Sequence, residues 1–468
     1  MKNLFPHINP HLLLSIIIAA SAGLLFGFDT GNIAGALVFI GHTFHTSITQ
    51  NEWIVSLTIL GAFLAAILSG KAVDYYGRKT LLMLAALFYI TGALLGAFSV
   101  SIMQLMEARF ILGLAIGISS YTAPLYISEI SPVSFRGFFV LLNGVAITGG
   151  EAIAYASDYH FSFTHNWREM LFIGIFPAII LGVGTYFMPD SPRWLIMKGK
   201  IAHAKKILSQ FYNHIIAEQE LQKMLRITPG AKTYTALIRN PAYRKLLAIG
   251  ITLGIFQQLF GINTVMYYGP FIFQQAGFHD TSSGILLTFY MGLVNTAMTI
   301  ITGLTIDRFG RRALLITGSL IAAVSLFILS SLFHVGIHHA WQGTAILLSM
   351  MAYIVGYCIS VGSLFWLIIS EIFPLSVRGQ AMSIATAIQW LANFLVSVTF
   401  LSLLHTIGTS MTFSLYALVC CAAVIFTYFY IPETRRLSLE EIESANSEAR
   451  PGRASANEAY IHFKNIKS

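Results

Sequence analysis

Apolar stretches long enough to cross a bilayer dominate this chain of 468 residues. A membrane-spanning helix needs about 20 predominantly apolar residues, and about twelve such stretches follow one another along the sequence. Gly and Pro within them are compatible with membrane helices. The spans are predicted near 12–40, 54–73, 80–99, 103–126, 136–157, 168–188, 246–272, 282–306, 312–333, 343–371, 380–403 and 411–431.

The composition excludes a soluble protein. Apolar residues make up 56% of the chain and charged residues only 10%, whereas globular domains are roughly 25% charged. The three cysteines, Cys358, Cys420 and Cys421, lie within apolar runs. They form neither a disulfide framework nor a metal-binding spacing, so we expect no metal and no cofactor.

The positive charges are sorted along the chain. With both termini placed inside, all but two of the 28 Lys and Arg residues fall in the tails, the inner loops or the segment 190–245. The exceptions are Arg109 and Arg168. This distribution satisfies the positive-inside rule and accounts for the net charge of +8 without a nucleic-acid partner. The pattern predicts a multi-pass protein embedded in the lipid bilayer, with both termini in the cytoplasm. The short outer loop at 41–52 and the absence of an Asn-x-Ser/Thr sequon favour a bacterial inner membrane.

The segment 190–245 differs from its surroundings. It carries eleven Lys and Arg residues, interrupted by apolar positions at the spacing of short amphipathic helices. We interpret it as a cytoplasmic helical linker. The predicted organisation is therefore a six-helix half at 1–189, the linker at 190–245, a second six-helix half at 246–436, and a partly disordered cytoplasmic tail at 437–468.

Three motifs occur twice, which indicates duplicated halves. Residues 74–79 match 307–312, residues 128–137 match 370–379, and residues 189–193 loosely match 432–436, at offsets of 233, 242 and 243 residues. Halves repeated in this order are a transporter architecture, with an axis along the membrane normal and a substrate site at the midplane. Because each chain carries both halves, we expect a monomer.

Every repeated motif lies where a helix meets the cytoplasm. Arg paired with Asp or Glu there can bridge neighbouring helix ends, close one face of a transporter and release as the halves move. Helix capping and positive-inside topology are the alternative explanation. Repetition at a fixed offset favours a gate, because partly desolvated charge networks are costly. The predicted cytoplasmic gate comprises Asp74, Arg78, Glu129, Arg136, Asp190, Arg193, Asp307, Arg311, Glu371, Arg378 and Glu433.

Several motifs together resemble the sugar porter family of the major facilitator superfamily. They are Gly27-Phe28-Asp29-Thr30-Gly31, the paired Gly-Arg-[Lys/Arg] loops, Pro189-Asp190-Ser191-Pro192-Arg193, residues 257–263 (QQLFGIN) and Pro432-Glu433-Thr434. The resemblance extends from about Gly23 to Glu443 and is strongest to the bacterial proton-coupled members, such as xylose–proton symporters. It implies an all-α major facilitator fold of twelve transmembrane helices, and a monosaccharide or polyol as substrate.

A sugar site needs neutral donors and acceptors in a dry cleft beside an aromatic platform. The seventh span supplies amides and tyrosines, and Gly261 permits a break that would bring Gln258 and Asn263 to one face. The alternative is that buried amides only join helices, at about 0.6 kcal/mol per hydrogen bond. Apart from Tyr268, the set predicted to bind substrate rests on the family resemblance: Phe26, Gln257, Gln258, Asn263, Tyr268, Asn295, Trp366, Gln389 and Trp390.

Three positions depart from the pattern that the resemblance implies. Gly144 stands where the family usually has a Gln, Glu151 replaces a second Gln, and Ser363 replaces a Pro in the tenth span. Losing an amide and gaining an acid reshapes the ring of contacts, so the sequence does not choose among pentoses, hexoses and inositol.

Asp29 and Arg109 are charged residues inside predicted spans. An ionised acid at that depth costs several kcal/mol unless it is paired, which makes Asp29 a functional candidate. The resemblance implies that this Asp and Arg pair, and that protonation of the Asp breaks the pair. This favours proton symport, with a structural salt bridge as the alternative. Glu151 is a second candidate, either as a proton-binding group or as a hydrogen-bond partner of the sugar.

Four functions compete for this sequence. The first is proton-coupled import of a monosaccharide or polyol, and the second is a facilitative uniporter with Asp29–Arg109 as a structural pair. A sugar sensor is disfavoured by the short tail. A membrane enzyme is disfavoured because no nucleophile elbow, His–Glu metal motif or phosphate loop is present.

Overall fold

The computed structural model describes residues 9–132, 135–226, 239–278, 280–373 and 377–431. Within these ranges the chain is almost entirely helical, and twelve helical segments are long and apolar enough to cross a membrane. The predicted all-α multi-pass architecture is therefore confirmed. The predicted tail at 437–468 lies outside the described residues.

The helices are numbered α1 to α19 in chain order. Most predicted spans match a single helix, and the sixth, seventh and tenth are interrupted. The bounds are α1 Pro10–Phe44, α2 Ile48–Tyr76, α3 Arg78–Ala97, α4 Ile102–Ile130, α5 Arg136–Ser162, α6 Trp167–Phe172, α7 Ile175–Phe187, α8 Pro192–Met197, α9 Ile201–Phe211, α10 His214–Arg226, α11 Pro241–Leu259, α12 Ile262–Tyr267, α13 Gly269–Gln275, α14 Thr281–Phe309, α15 Arg311–Val335, α16 Ala340–Tyr357, α17 Ser363–Ile372, α18 Arg378–Thr406 and α19 Thr409–Tyr430.

The described residues fall into two compact units. The first holds those within Met1–Pro229, Thr264–Thr296 and Ser397–Leu401, and the second holds those within Gly230–Asn263, Ala297–Val396 and Ser402–Ser468. Helices α1 to α10 and α13 thus belong to the first unit, and α11, α15, α16, α17 and α19 to the second. Helices α12, α14 and α18 contribute residues to both.

In the first unit, α1 and α5 approach each other through glycines of α1. Positions where a Cβ atom would collide with α5 recur every four residues, at Gly27, Gly31 and Gly35. This spacing keeps one face of α1 in contact along its length, and small residues allow close helix approach in membranes. The α1–α5 contact therefore fixes the position of Glu151, whose backbone lies against Gly31.

Helices α2 and α4 form a second close pair in the same unit. Gly61 of α2 lies against Gly113 of α4, and a Cβ atom on either glycine would meet backbone atoms of the other helix. Gly117 continues the contact along α4 towards Ala62 and Ala65. The pair holds the buried Arg109 one turn before Gly113, on the α4 segment nearest this contact.

The seventh span breaks where the sequence predicts. Helix α11 ends at Leu259 and α12 begins at Ile262, with Gly261 between them at φ +82°, a conformation that glycine adopts without strain. The span ends at Tyr267 rather than near the predicted residue 272. The cause is a new helix, α13, which starts at Gly269 with Pro270 in its first turn, a position suited to proline.

The tenth span contains an irregularity within the second unit. Between α16 and α17, residues Cys358–Gly362 form a π-helical segment, and Ser360 has non-helical angles of φ −100° and ψ −119°. Such segments widen a helix locally and release backbone carbonyls from the regular ladder. The bend that proline would produce elsewhere is thus obtained here without one, just before Ser363.

Short helices follow the sixth span, as the sequence predicts for 190–245. In α9 the buried side chains are Ala204, Ile207, Leu208 and Phe211, at the spacing of an amphipathic helix. Leu208 packs with buried apolar side chains of α10. The apolar faces of α9 and α10 thus pack against each other.

Candidate functional site

Asp29 and Arg109 form an ion pair within the first unit. The Nη1 atom of Arg109 lies 2.6 Å from Oδ1 of Asp29, and the Arg109 side chain is 2% exposed. Its Nε atom also donates to the carbonyl oxygen of Ile54, at 3.3 Å. The guanidinium of α4 thus bonds to α1 and α2 at once. Removing one partner of such a pair leaves a buried charge uncompensated, which is strongly unfavourable.

Glu151 lies in a second polar cluster of the first unit. Asn295 of α14 donates from Nδ2 to Oε2 of Glu151 at 3.0 Å, and both side chains are buried. The hydroxyl of Tyr155 lies 3.5 Å from Oε1 of the same carboxylate and donates to the carbonyl oxygen of Met266 at 2.9 Å. A predicted sugar contact, Asn295, is therefore bonded to a predicted proton-binding acid.

The paired glutamines of α11 have different partners in the second unit. Gln257 donates from Nε2 to the carbonyl oxygens of Val361 and Gly362, at 3.3 and 3.2 Å, using carbonyls of the π-helical segment. Gln258 accepts from Nδ2 of Asn263 at 2.7 Å. This second bond crosses the break at Gly261, so the break brings the two amides together as the sequence predicts.

Two amide oxygens on buried residues of the second unit have no hydrogen-bond partner in the described part of the chain. They are Oε1 of Gln257 and Oε1 of Gln389, and both residues are less than a tenth exposed. Unsatisfied buried acceptors are rare in proteins. A ligand with several hydroxyl donors would satisfy both, and a sugar is such a ligand.

The predicted aromatic residues are placed unevenly. Trp390 is buried, whereas Trp366 is 45% exposed and meets Phe365 edge-on at 5.0 Å between ring centres. Tyr268 is fully buried, donates to the carbonyl oxygen of Ser397 at 3.3 Å and stacks on Phe400. Its hydroxyl hydrogen is therefore already used within the protein.

The predicted binding residues divide between the two compact units. Those of the first unit are Phe26, Tyr268 and Asn295, beside the candidate acid Glu151, and those of the second are Gln257, Gln258, Asn263, Trp366, Gln389 and Trp390.

The repeated motifs predicted to form the gate make similar ion pairs in both units. Arg78 contacts Oε1 of Glu129 at 2.7 Å and Asp74 at 3.3 Å, and Ser191 donates to the other oxygen of Glu129 at 2.5 Å. In the second unit, Arg311 contacts Oε1 of Glu371 at 2.9 Å. The Arg of each Gly-Arg loop thus pairs with the Glu of the following Ser-Glu motif.

The remaining predicted gate residues have other surroundings. Arg378 donates from Nε to the carbonyl oxygen of Phe373 at 3.0 Å. The described residues place no carboxylate within salt-bridge distance of Arg136 or Arg193. Glu433 and the side chain of Asp307 lie outside what the structure describes. Asp190 directly follows Pro189, whose carbonyl oxygen accepts from Tyr126 at 2.9 Å.

Three polar residues were missed by the sequence analysis. Asp158 is fully buried and lies against Gly35, seven residues after Glu151 on the same face of α5. Asn32 is buried one turn after Asp29. Tyr212 donates to the carbonyl oxygen of Ile130 at 2.6 Å. Helical spacing from Asp29 and Glu151 was the signal that could have found the first two.

The fold and these polar clusters define a multi-pass membrane transporter of the major facilitator superfamily. The sequence profile of one family, described as sugar (and other) transporter, matches residues 15–445. The chain belongs to this family of transporters, which are not enzymes.

Relatives of known name align with most of the chain. The galactose–proton symporter of Escherichia coli K12 is 39% identical over 428 residues, covering 91% of this chain and 92% of the relative. The D-xylose transporter of Levilactobacillus brevis is 37% identical over 435 residues, covering 91% and 93%. Among solved structures, the partially occluded, inward-open xylose transporter XylE of E. coli superimposes with a TM-score of 0.80 and 28% identity, covering 92% of this chain and 99% of that one.

Proposed function

We propose that this chain is a proton-coupled symporter that imports a monosaccharide or polyol by alternating access. The observation that carries the proposal is the buried Asp29–Arg109 pair at 2.6 Å, in a chain whose relatives include proteins named galactose–proton and arabinose–proton symporters. An acid inside a membrane protein is expensive to keep unless it has a function.

Proton coupling follows from the chemistry of this pair. When Asp29 takes up a proton, the charge–charge attraction to Arg109 is lost and a weaker neutral hydrogen bond remains. The guanidinium is then free to change partners, and conformations that separate α1 from α4 become less costly. One proton moving through about 100 mV supplies about 2.3 kcal/mol, and one pH unit adds about 1.4 kcal/mol.

The amides and Trp390 supply the chemistry of the sugar site. The unsatisfied oxygens of Gln257 and Gln389 accept from sugar hydroxyls, and an aromatic face covers the apolar C–H groups of the ring. Glu151, held by Asn295, provides a carboxylate acceptor that can also titrate. The repeated Arg–Glu pairs at the cytoplasmic motifs act as the inner gate.

The proposal also covers the oligomeric state, the membrane and the topology of the protein. We infer a monomer in the inner membrane, with both termini and the 190–245 linker in the cytoplasm and substrate bound between six-helix halves at 1–189 and 246–436. A bacterial inner membrane supplies the proton gradient on which the mechanism depends.

Uptake into liposomes tests the proposal. We would compare labelled D-galactose, D-xylose, L-arabinose, D-glucose and myo-inositol, with and without an inward proton gradient, for the unmodified chain and for Asp29→Asn. Concentrative uptake of one sugar, abolished by a protonophore and reduced to equilibration by Asp29→Asn, is the expected result. Equilibrative uptake that ignores the gradient would identify a uniporter, with Asp29–Arg109 as a structural pair.

A further inference from the structure

A cavity lies beside the ion pair inside the first unit. Helices α1, α3, α4 and α6 surround it, and its polar lining consists of Asp29, Asn32, Tyr89 and Arg109, with glycine and apolar residues elsewhere. A polar group in such a place needs a hydrogen-bond partner. The question is therefore which polar atoms facing this cavity are satisfied by the protein.

Two acceptor oxygens on α1 have no hydrogen-bond partner among the described residues. Arg109 bonds to Oδ1 of Asp29, whereas Oδ2 of Asp29 is buried and has no partner among the described residues. Asn32 donates from Nδ2 to the carbonyl oxygen of Met170 at 2.5 Å, which fixes the orientation of its amide, because a carbonyl can only accept. Its Oδ1 atom consequently faces away from Met170 and, in the same described part, also has no partner.

We propose that Asn32 is part of the proton site: its Oδ1 accepts a hydrogen bond from Asp29 when Asp29 carries the transported proton on Oδ2. The bond is direct or passes through one water in the cavity. The proton comes from water, converts the carboxylate into a neutral acid while Arg109 keeps its charge, and returns to water on release. Two acceptors one helical turn apart lack only a donor, and the arriving proton supplies it.

The other ionisable groups near Asp29 have different roles. Tyr89 lies 3.0 Å from Oγ of Ser119. Because Ser119 donates to the carbonyl oxygen of Ile116, the Tyr89 hydrogen points to Ser119 and not to Asp29. On α5, the carboxylate of Glu151 accepts from Asn295.

Charged residues on the remaining neighbouring helices are outside the cavity lining. On α6, Arg168 donates to the carbonyl oxygen of Ser99 at 2.9 Å, and Glu169 follows it. Glu52 is buried near the start of α2, and Glu107 precedes Arg109 on α4. Among the lining residues, Arg109 is thus the charge that opposes protonation, and Asn32 is the acceptor that favours it.

The proposal rests on the proposed symport and is tested by the pH profile of uptake at fixed membrane potential. The probe is labelled D-galactose, or the panel sugar that the unmodified chain carries fastest. Asn32→Leu removes the acceptor. One hydrogen bond of about 1 kcal/mol corresponds to about fivefold weaker proton binding, so half-maximal uptake should move to a pH lower by about 0.7 units.

For a second variant we expect the pH of half-maximal uptake to move in the opposite direction. Asn32→Asp adds a carboxylate beside Asp29, and like charges favour protonation of one member, so half-maximal uptake should move to a higher pH. In an Asp29→Asn background, neither substitution should change the pH profile further. Thr30→Val is the matched control, because Thr30 is buried on the same helix and its hydroxyl donates only to the carbonyl oxygen of Phe26.

The outcomes separate the inference from the proposed function. If uptake by the unmodified chain ignores pH and the gradient, symport itself is wrong. If the unmodified chain responds to pH but Asn32→Leu and Asn32→Asp leave the profile unchanged, or move it in the same direction, Asn32 only holds Met170 and the inference is overturned. Opposite shifts cannot arise from a general loss of folding, which would lower uptake at every pH.

Discussion

The Nδ2 atom of Asn295 donates a hydrogen bond to Oε2 of Glu151 across 3.0 Å, although 144 residues separate them in the chain. The contact joins an amide expected to bind sugar to an acid expected to bind protons. A change in the charge of Glu151 therefore directly alters the strength of its hydrogen bond with Asn295. A substrate hydroxyl and a proton would compete for, or share, the same carboxylate.

An exchange of these two side-chain types tests that relationship. Asn295→Asp places two carboxylates together, and we expect uptake near pH 7 to fall about 10- to 100-fold, the equivalent of about 1.5–3 kcal/mol for a bond to a charged group. The double variant Glu151→Gln with Asn295→Asp restores one acid and one amide, and should recover uptake to within about threefold. Initial rates over a range of sugar concentrations measure both. Simple addition of the two single effects would contradict the pairing.

Removal of Arg109 should cost more stability than neutralisation of Asp29. Arg109→Met leaves the Asp29 carboxylate buried without its cation, which costs about 3–5 kcal/mol. Asp29→Asn keeps a carbonyl oxygen that can accept from Arg109 and should cost less. Thermal unfolding of the detergent-purified variants gives the comparison. A smaller loss for Arg109→Met than for Asp29→Asn would show that the pair does not stabilise this unit.

The α1–α5 contact predicts that Gly35 tolerates no side chain. A Cβ atom on Gly35 would overlap the carboxylate of Asp158, and overpacking of this kind costs about 1–3 kcal/mol. Gly35→Ala should therefore lower the melting temperature and the yield of folded protein. Gly149→Ala on α5 is the matched control, because a Cβ atom there meets nothing within 4 Å. Equal behaviour of the two variants would mean that the helices separate readily.

Tyr212 should attach α9 to the end of α4. Its hydroxyl donates to the carbonyl oxygen of Ile130, and Tyr212→Phe should weaken the attachment by about 1 kcal/mol. Faster hydrogen exchange in α9, with unchanged exchange in α1, is the expected measurement. Unchanged exchange in α9 would assign the attachment to its apolar face alone.

Tyr212 should also make the stability of the folded chain depend on pH. Burial raises the pKa of Tyr212 above its ordinary value of 10.0, so the folded chain keeps this proton at a pH where the unfolded chain loses it. The stabilising effect is complete below about pH 10 and declines as the pH rises towards the folded-state pKa. Tyr212→Phe should make alkaline unfolding less steep, which can be followed by circular dichroism between pH 9 and 12. An unchanged slope would contradict the burial of this hydroxyl.

Much of the fold could be predicted from the sequence because its signals are local. A long apolar run identifies a span wherever it occurs, and Gly261 marks a break by its own backbone preference. The neighbourhood of Asp29 and Arg109 followed from the family resemblance. The Arg78–Glu129 and Arg311–Glu371 pairs also join motifs that the sequence repeats.

The parts that could not be predicted depend on how helices are rotated and packed. The local sequence around Glu151 does not predict its contact with Asn295, because that contact depends on the packing of α5 against the segment 264–296. Asp158 escaped notice because its burial depends on the absent side chain of Gly35. The π-helical segment at Cys358–Gly362 was likewise not expected, since the replacement of a Pro by Ser363 does not by itself specify such a segment.

Glycines allow close backbone contact in two helix pairs of the first unit. One pair is α1 with α5, and the other is α2 with α4. The Asp29–Arg109 bond runs from the first pair to the second. Under the proposed coupling, a proton bound by Asp29 would weaken this connection between the pairs and leave the glycine contacts within each pair unchanged, so a change at one side chain would allow whole helices to move.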